Sequence, residues 1–285
     1  MNHRMVTLAD LGLSLRGRCP VPKVRRPAVA GRFYPADASE LARMVEHFLD
    51  DVEEVAPAPK ALIAPHAGYI YSGAVAATAY ASLRESRSRV SRVILLGPSH
   101  WFSFPGLALP EADALATPAG TVEVDREGVE IALRFNQVSV RDDVYEREHS
   151  LEVHLPFLQA VLGSFAVTPL LIGRASSTAV SRVLDALWGD DSTLLAVSSD
   201  LSHYHDYETA NRLDGATSLA IQALESERIT SRDACGWLPI HGLLETAQRR
   251  GMRVREVDLR NSGDTGGPRD RVVGYGSFLF YDANQ

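Results

Sequence analysis

The sequence predicts an α/β fold in which a largely parallel sheet is covered by helices on both faces. Four short apolar runs, ALIAP at 61–65, RVILLG at 92–97, TPLLIG at 168–173 and TLLAVSS at 193–199, are continuous rather than alternating. That is the pattern of strands buried on both faces. Helical patterns fill most of the gaps between them, as β-α-β crossovers require. With 45% apolar and 23% charged residues, the 285-residue chain can build a full core, which excludes a disordered or fibrous protein.

Residues 1–32 carry seven basic side chains against one acid, Asp10. Residues 1–24 therefore read as an appended basic arm without fixed structure, ahead of a single domain at 25–285. In DASELARMVEHFLDD the Asp37 and Ser39 start signals precede Leu41, Met44, Val45 and Phe48 at helical spacing, so an amphipathic helix is expected. The uncharged stretch 61–83 is long enough to span a bilayer. Pro65, His66, Gly68 and Gly73 interrupt it, and it reads as a buried strand, a turn and a small-residue helix. A further helix is expected to begin near Glu148 and another to run over 239–250. VREVDL at 254–259 reads as a strand, NSGDTGGPRD as a Gly-rich loop, and the alternating VVGYGSFLFYD as a final edge or antiparallel strand.

The balance of 29 basic against 36 acidic side chains gives a net charge of −7, which disfavours nucleic acid and anionic membrane surfaces as partners. Two cysteines, Cys19 and Cys235, build no disulfide framework or CxxC site, and the start of the chain lacks a continuous apolar signal segment. A cytoplasmic protein is expected. No GxSxG elbow, P-loop or HExxH motif is present.

The chemistry gathers at strand ends. His66 follows the first run, His100 the second, and Asp200, His203 and His205 the fourth. In an open parallel sheet these ends converge on one site, so His66, His100 and His203 together point to a metal. In REHSLEVHLPFLQAVL a helix from Glu148 would put His149 and Glu152 on one face, where they could orient ligands or move protons. The same spacing fits an ordinary helix start over a Leu151, Leu155 and Leu158 stripe. Cys235 precedes a helix that Pro239 could start, and helix-end amides would favour its thiolate, a soft metal ligand. A small buried hydrophobe is the alternative.

RRPAVAGRFYP, APHAGYIYSG, LLGPSHW, EHSLEVHLPFL, SSDLSHY, CGWLPI and DRVVGYGSF, in that order, resemble the MEMO family, known in prokaryotes as AmmeMemoRadiSam system protein B. The resemblance spans residue 25 to the end. It implies a fold like that of the class III, LigB-like extradiol dioxygenases, with a central mostly parallel or mixed sheet between helices. It further implies His66, His100 and Cys235 as metal ligands, Cys235 standing where those enzymes use a carboxylate, and His203 as the acid/base. Two positions depart from relatives: Val29 and Trp101 stand where other members can carry histidine.

What the resemblance implies is a non-haem metal protein, with Fe(II) the expected ion and Cu or Zn as competitors for a thiolate-bearing site. Oxidative or redox chemistry on an unknown small-molecule substrate would use His203, Asp200, His149 and Glu152 as catalytic groups. Two other readings share the pocket: a non-catalytic module for peptides or phospho-ligands, and a Zn-dependent hydrolase with His203 as base. The family name also implies a functional link to a radical-SAM enzyme.

Overall fold

The computed structural model describes residues 21–283. The first half of the chain forms strands β1 (Val24–Arg25), β2 (Ala61–Ala64), β3 (Arg92–Pro98), β4 (Leu107–Leu109), β5 (Ala114–Thr117), β6 (Gly120–Val124) and β7 (Val138–Val140). The second half adds β8 (Ala166–Ile172), β9 (Thr193–Ser198), β10 (His203–His205), β11 (Arg253–Asn261) and β12 (Val272–Tyr281). The helices are α1 (Ala38–Asp50), α2 (Tyr69–Ala81), α3 (Arg126–Ala132), α4 (Leu155–Val161), α5 (Ser177–Leu187), α6 (Tyr207–Gln222), α7 (Trp237–Arg249) and α8 (Ser262–Thr265).

All twelve strands join one mixed sheet. Its spine, β6-β8-β3-β9-β2, is parallel throughout. Side chains alternate between two cores: Leu62, Ala64, Val93 and Leu95 pack on one face, while Ala61, Ile63, Ile94 and Leu96 pack on the other. Burial on both faces is why these runs are continuously rather than alternately apolar over most of their length. Helices α1, α2 and α4 contribute to the first core and α5, α6 and α7 to the second. The Asp37 side chain caps α1 by accepting the Glu40 amide at 2.9 Å, as the start signal predicts.

Four expectations are modified. The last strand, β12, is antiparallel but not an edge: Phe278, Leu279 and Phe280 pair with β2 and with β11 at once. No α-helix begins near Glu148. Residues there form turns, a 3-10 turn covers Glu152–His154, and α4 starts only at Leu155. The Gly-rich loop opens with α8, where the Asn261 and Asp264 side chains form a capping box. Within the basic arm, residues 1–20 lie outside the described residues. Val24 pairs with Ala114, and the Lys23 amide donates to Asp113 at 2.8 Å, so the sheet begins before residue 25. Among the described residues no helix is long and apolar enough to cross a membrane.

Candidate metal centre

The neighbouring parallel strands β3, β9 and β2 deliver their C-terminal ends side by side. His66 stands two residues beyond β2, His100 two beyond β3 and Asp200 two beyond β9. The loop bearing His149 folds over them, because Gly97 leaves room on β3: a Cβ there would meet the Leu151 side chain at 2.8 Å.

His66, His100 and His149 each offer a ring nitrogen, all within 4.8 Å of one another. Their ring centroids lie 4.7–5.6 Å apart, with His100 and His149 stacked. The far sides of two rings fix their tautomers. His66 Nδ1 is 2.5 Å from Ser198 Oγ, whose own proton goes to the Ser150 carbonyl at 2.6 Å. Nδ1 of His66 is therefore the donor, and Nε2 presents its lone pair to the cluster. His100 Nδ1 donates to Glu148 Oε1 at 2.8 Å, which leaves its Nε2 free in the same way. Carboxylate-backed imidazoles of this kind are the usual outer support of metal ligands.

Glu148 is the residue that sequence reasoning missed. Its carboxylate also accepts the amides of His100, His149 and Ser150 at 2.6–2.9 Å. Burial alone would raise its pKa, but the hydrogen bond and charge of His100 and these amides hold it at about 2. The same ion pair outweighs burial at His100 and raises its pKa. Burial lowers the other two rings, His66 well below its ordinary value and His149 to about 4. Along the chain Glu148 reads only as a helix start, and nothing in its spacing ties it to His100.

Cys235 reaches the cluster. Its Sγ lies 3.3 Å from His66 Nε2 and accepts the Asp200 amide at 3.3 Å. The expected low thiol pKa is not found. Burial and then the nearby Asp200 charge push it up, overriding the helix-end amides of α7. Asp200 is buried, accepts the His66 amide through Oδ1 at 2.7 Å and holds Oδ2 4.0 Å from His66 Nε2. His203 sits close enough for its charge to act on both. Its Nδ1 donates to the Leu201 carbonyl at 2.8 Å, so Nε2 is available to take a proton.

Glu152 does not share a face with His149. Without a helix at 148–151 the two diverge, and the Glu152 carboxylate accepts from Arg25, the Ala28 and Val29 amides and the Tyr34 hydroxyl at 2.7–2.9 Å. It pins the segment 25–34 to the domain. His154 is likewise buried away from the cluster, with Nδ1 2.6 Å from the Tyr80 hydroxyl. Beside the cluster lies a cavity of about 390 Å³ whose walls include His100, Cys235, Trp101 and Arg174.

Residues 25–279 match the family model described as Memo-like protein. The chain belongs to the MEMO1 family. The MEMO1 family protein of Aquifex aeolicus is 34% identical over 269 residues, covering 90% of this chain and 99% of that one. Those of Pyrobaculum arsenaticum and Methanopyrus kandleri are 34% and 35% identical, covering 91% and 90% of this chain and 99% and 98% of theirs. Among solved structures, the uncharacterized protein JW3007 from Escherichia coli K12 superposes with a TM-score of 0.51 at 14% identity, over 77% of this chain and 98% of that one. That likeness is one of fold.

Proposed function

We propose that this MEMO1 family member is a mononuclear metal protein that carries out an oxidative or redox step on a small substrate. The observation that carries this is the trio of His66, His100 and His149, with one ring nitrogen of each within 4.8 Å of the others, while Ser198 and Glu148 hold the opposite nitrogens of His66 and His100. The donor set fits a metal: three imidazole nitrogens, one buried thiol beside them in Cys235, and supporting hydrogen bonds already in place. His66, His100 and His149 would hold the ion, with Cys235 adjoining. Fe(II) is the ion that the likeness to LigB-like extradiol dioxygenases favours, and when bound it would supply redox capacity and open coordination positions.

The protein's own residues supply the rest. His203, with Nδ1 anchored, accepts a substrate proton at Nε2 and returns it. Asp200 fixes the His66 backbone and stands beside the His203 ring. The buried strand ends exclude bulk water from the inner side of the cluster.

A three-histidine set is also one that Zn(II) takes with a fourth position open, which favours metal-assisted hydrolysis as a second reading. Elemental analysis of protein purified anaerobically separates the two. About one iron per chain, lost in His66→Ala and His149→Ala, supports the first; zinc in that proportion supports the second. Protein that neither retains metal nor takes up Fe(II) or Zn(II) would overturn both.

A further inference from the structure

Among the described residues, two that are not glycine have a positive φ: Leu224 at 57° and Tyr204 at 64°. Leu224 has an ordinary reason. It follows the C-cap of α6, and the next amide, that of Glu225, returns to the Ala220 carbonyl at 2.9 Å, the left-handed turn by which helices commonly end. Tyr204 ends no helix. It lies in β10, one residue beyond His203, and the left-handed conformation is costly for a side chain of its bulk.

The backbone there forms a β-bulge: His203 pairs with Val273 and His205 with Val272, so Tyr204 is the extra residue. Glycine would meet the demand of this bulge without strain. Nor does the tyrosine ring serve burial, since Tyr204 is 63% exposed. What the ring does touch is His203. The two rings meet edge to face with centroids 5.7 Å apart, a favourable aromatic geometry. The Arg271 guanidinium stacks on the Tyr204 ring at 4.8 Å from its centroid.

The backbone leading into His203 is fixed at several points. The Leu201 amide donates to the Gly274 carbonyl and the Gly274 amide to the Ser202 carbonyl, both at 2.8 Å, and Asp214 accepts the Ser202 amide. The imidazole itself is held by less. Among the described residues its one hydrogen bond runs from Nδ1 to the Leu201 carbonyl, and that bond selects the tautomer whose lone pair is on Nε2. A second ring packed on the imidazole opposes the rotation that would break it.

We infer that Tyr204 is a positioning residue for His203: its ring, backed by Arg271, keeps Nδ1 on the Leu201 carbonyl and Nε2 free to take a proton. This deepens the proposed function and rests on it for the use made of that proton.

Nitrogen-15 NMR of the histidine side chains reads the tautomer directly. The full chain is measured above the pH range in which histidine is ordinarily charged, with and without Zn(II), and the His203 signals are identified by their absence from His203→Gln. Wild type is expected to carry the proton on Nδ1. Tyr204→Phe keeps the ring and should keep that form. Tyr204→Gly and Tyr204→Asn accept the left-handed backbone without the ring, and should lose it in favour of the Nε2–H form that a free imidazole prefers. Their thermal unfolding midpoints should not fall, because the strain is relieved.

The inference fails if wild type carries the proton on Nε2, if the Gly and Asn variants keep it on Nδ1, or if Tyr204→Phe loses it as they do. It also fails if both ringless variants unfold at a clearly lower temperature, which would give the ring a purely structural role. Metal uptake by the same samples keeps the two readings apart. The expected tautomers in protein that takes up neither Fe(II) nor Zn(II) would sink the metal centre and leave the role of Tyr204 standing. Metal binding with one unchanged tautomer across all variants would do the reverse.

Discussion

Glu148 positions His100 twice: Oε1 lies 2.8 Å from the ring Nδ1, and Oε2 accepts the backbone amide at 2.6 Å. Ring direction and loop conformation are therefore set by one buried carboxylate. Glu148→Gln keeps the volume and one acceptor but removes the charge behind the imidazole. Its expected effect is a loss of about 10- to 100-fold in affinity for Co(II) or Zn(II), read by spectral titration. An unchanged affinity would mean that His100 is not a ligand.

The Arg25–Glu152 pair, 2.9 Å apart and almost wholly buried, should act on stability rather than on the metal centre. Glu152→Gln leaves the Arg25 guanidinium without its countercharge. Breaking a buried pair in this way costs about 3–5 kcal/mol, measurable by urea unfolding. Metal bound per folded molecule should not change; if it falls while stability holds, Glu152 belongs to the site after all.

His154 supplies a pH dependence. Burial lowers its pKa from 6.5 to about 3, and its Nε2 has no hydrogen-bond partner. Between those values the unfolded chain binds a proton that the folded chain does not, so stability is full above about pH 6.5 and declines as pH falls toward 3. His66 and His149, also lowered by burial, add to the same limb. In His154→Asn, which retains an acceptor for Tyr80, the decline between pH 6 and 4 should be shallower by up to about 1.4 kcal/mol per pH unit. Denaturant midpoints of both proteins at several pH values give the slopes, and equal slopes would refute the assignment.

Two glycines should respond with opposite sign. Gly215 lies inside α6 with nothing within 4 Å of where a Cβ would stand, so Gly215→Ala should stabilise by about 0.5–1 kcal/mol. At Gly274 an added Cβ would collide with the Asp214 carboxylate, which receives the Ser202 amide at 2.9 Å just before His203. Gly274→Ala should destabilise by about 1–3 kcal/mol. Thermal unfolding of the two variants decides both.

The strand framework was legible because β2, β3, β8 and β9 are apolar on both faces over most of their length, as a sheet covered on both sides requires. The convergence of His66 and His100 followed from the strand-end rule. Applied to the run at 168–173, the same rule would also have led to Arg174. What spacing could not convey was direction. A helix beginning at Glu148 would have paired His149 with Glu152, but the Glu148 carboxylate turns back on three amides and holds that segment as turns. His149 then faces the cluster while Glu152 faces Arg25. The three-residue strands β4, β7 and β10 are too short to show any periodicity. The thiol of Cys235 was misjudged because burial and Asp200, neither visible along the chain, outweigh the start of α7.

His66, His100, His149 and Cys235 lie 169 residues apart from first to last, and each depends on a different strand end or loop for its place. No fragment holding only part of the sheet can assemble the set. Occupancy by a metal would therefore report that the whole domain has closed, and a ligand that binds only the closed form stabilises it by mass action. Scarcity of the ion would then be felt first as a shorter lifetime of the protein and only afterwards as lost chemistry.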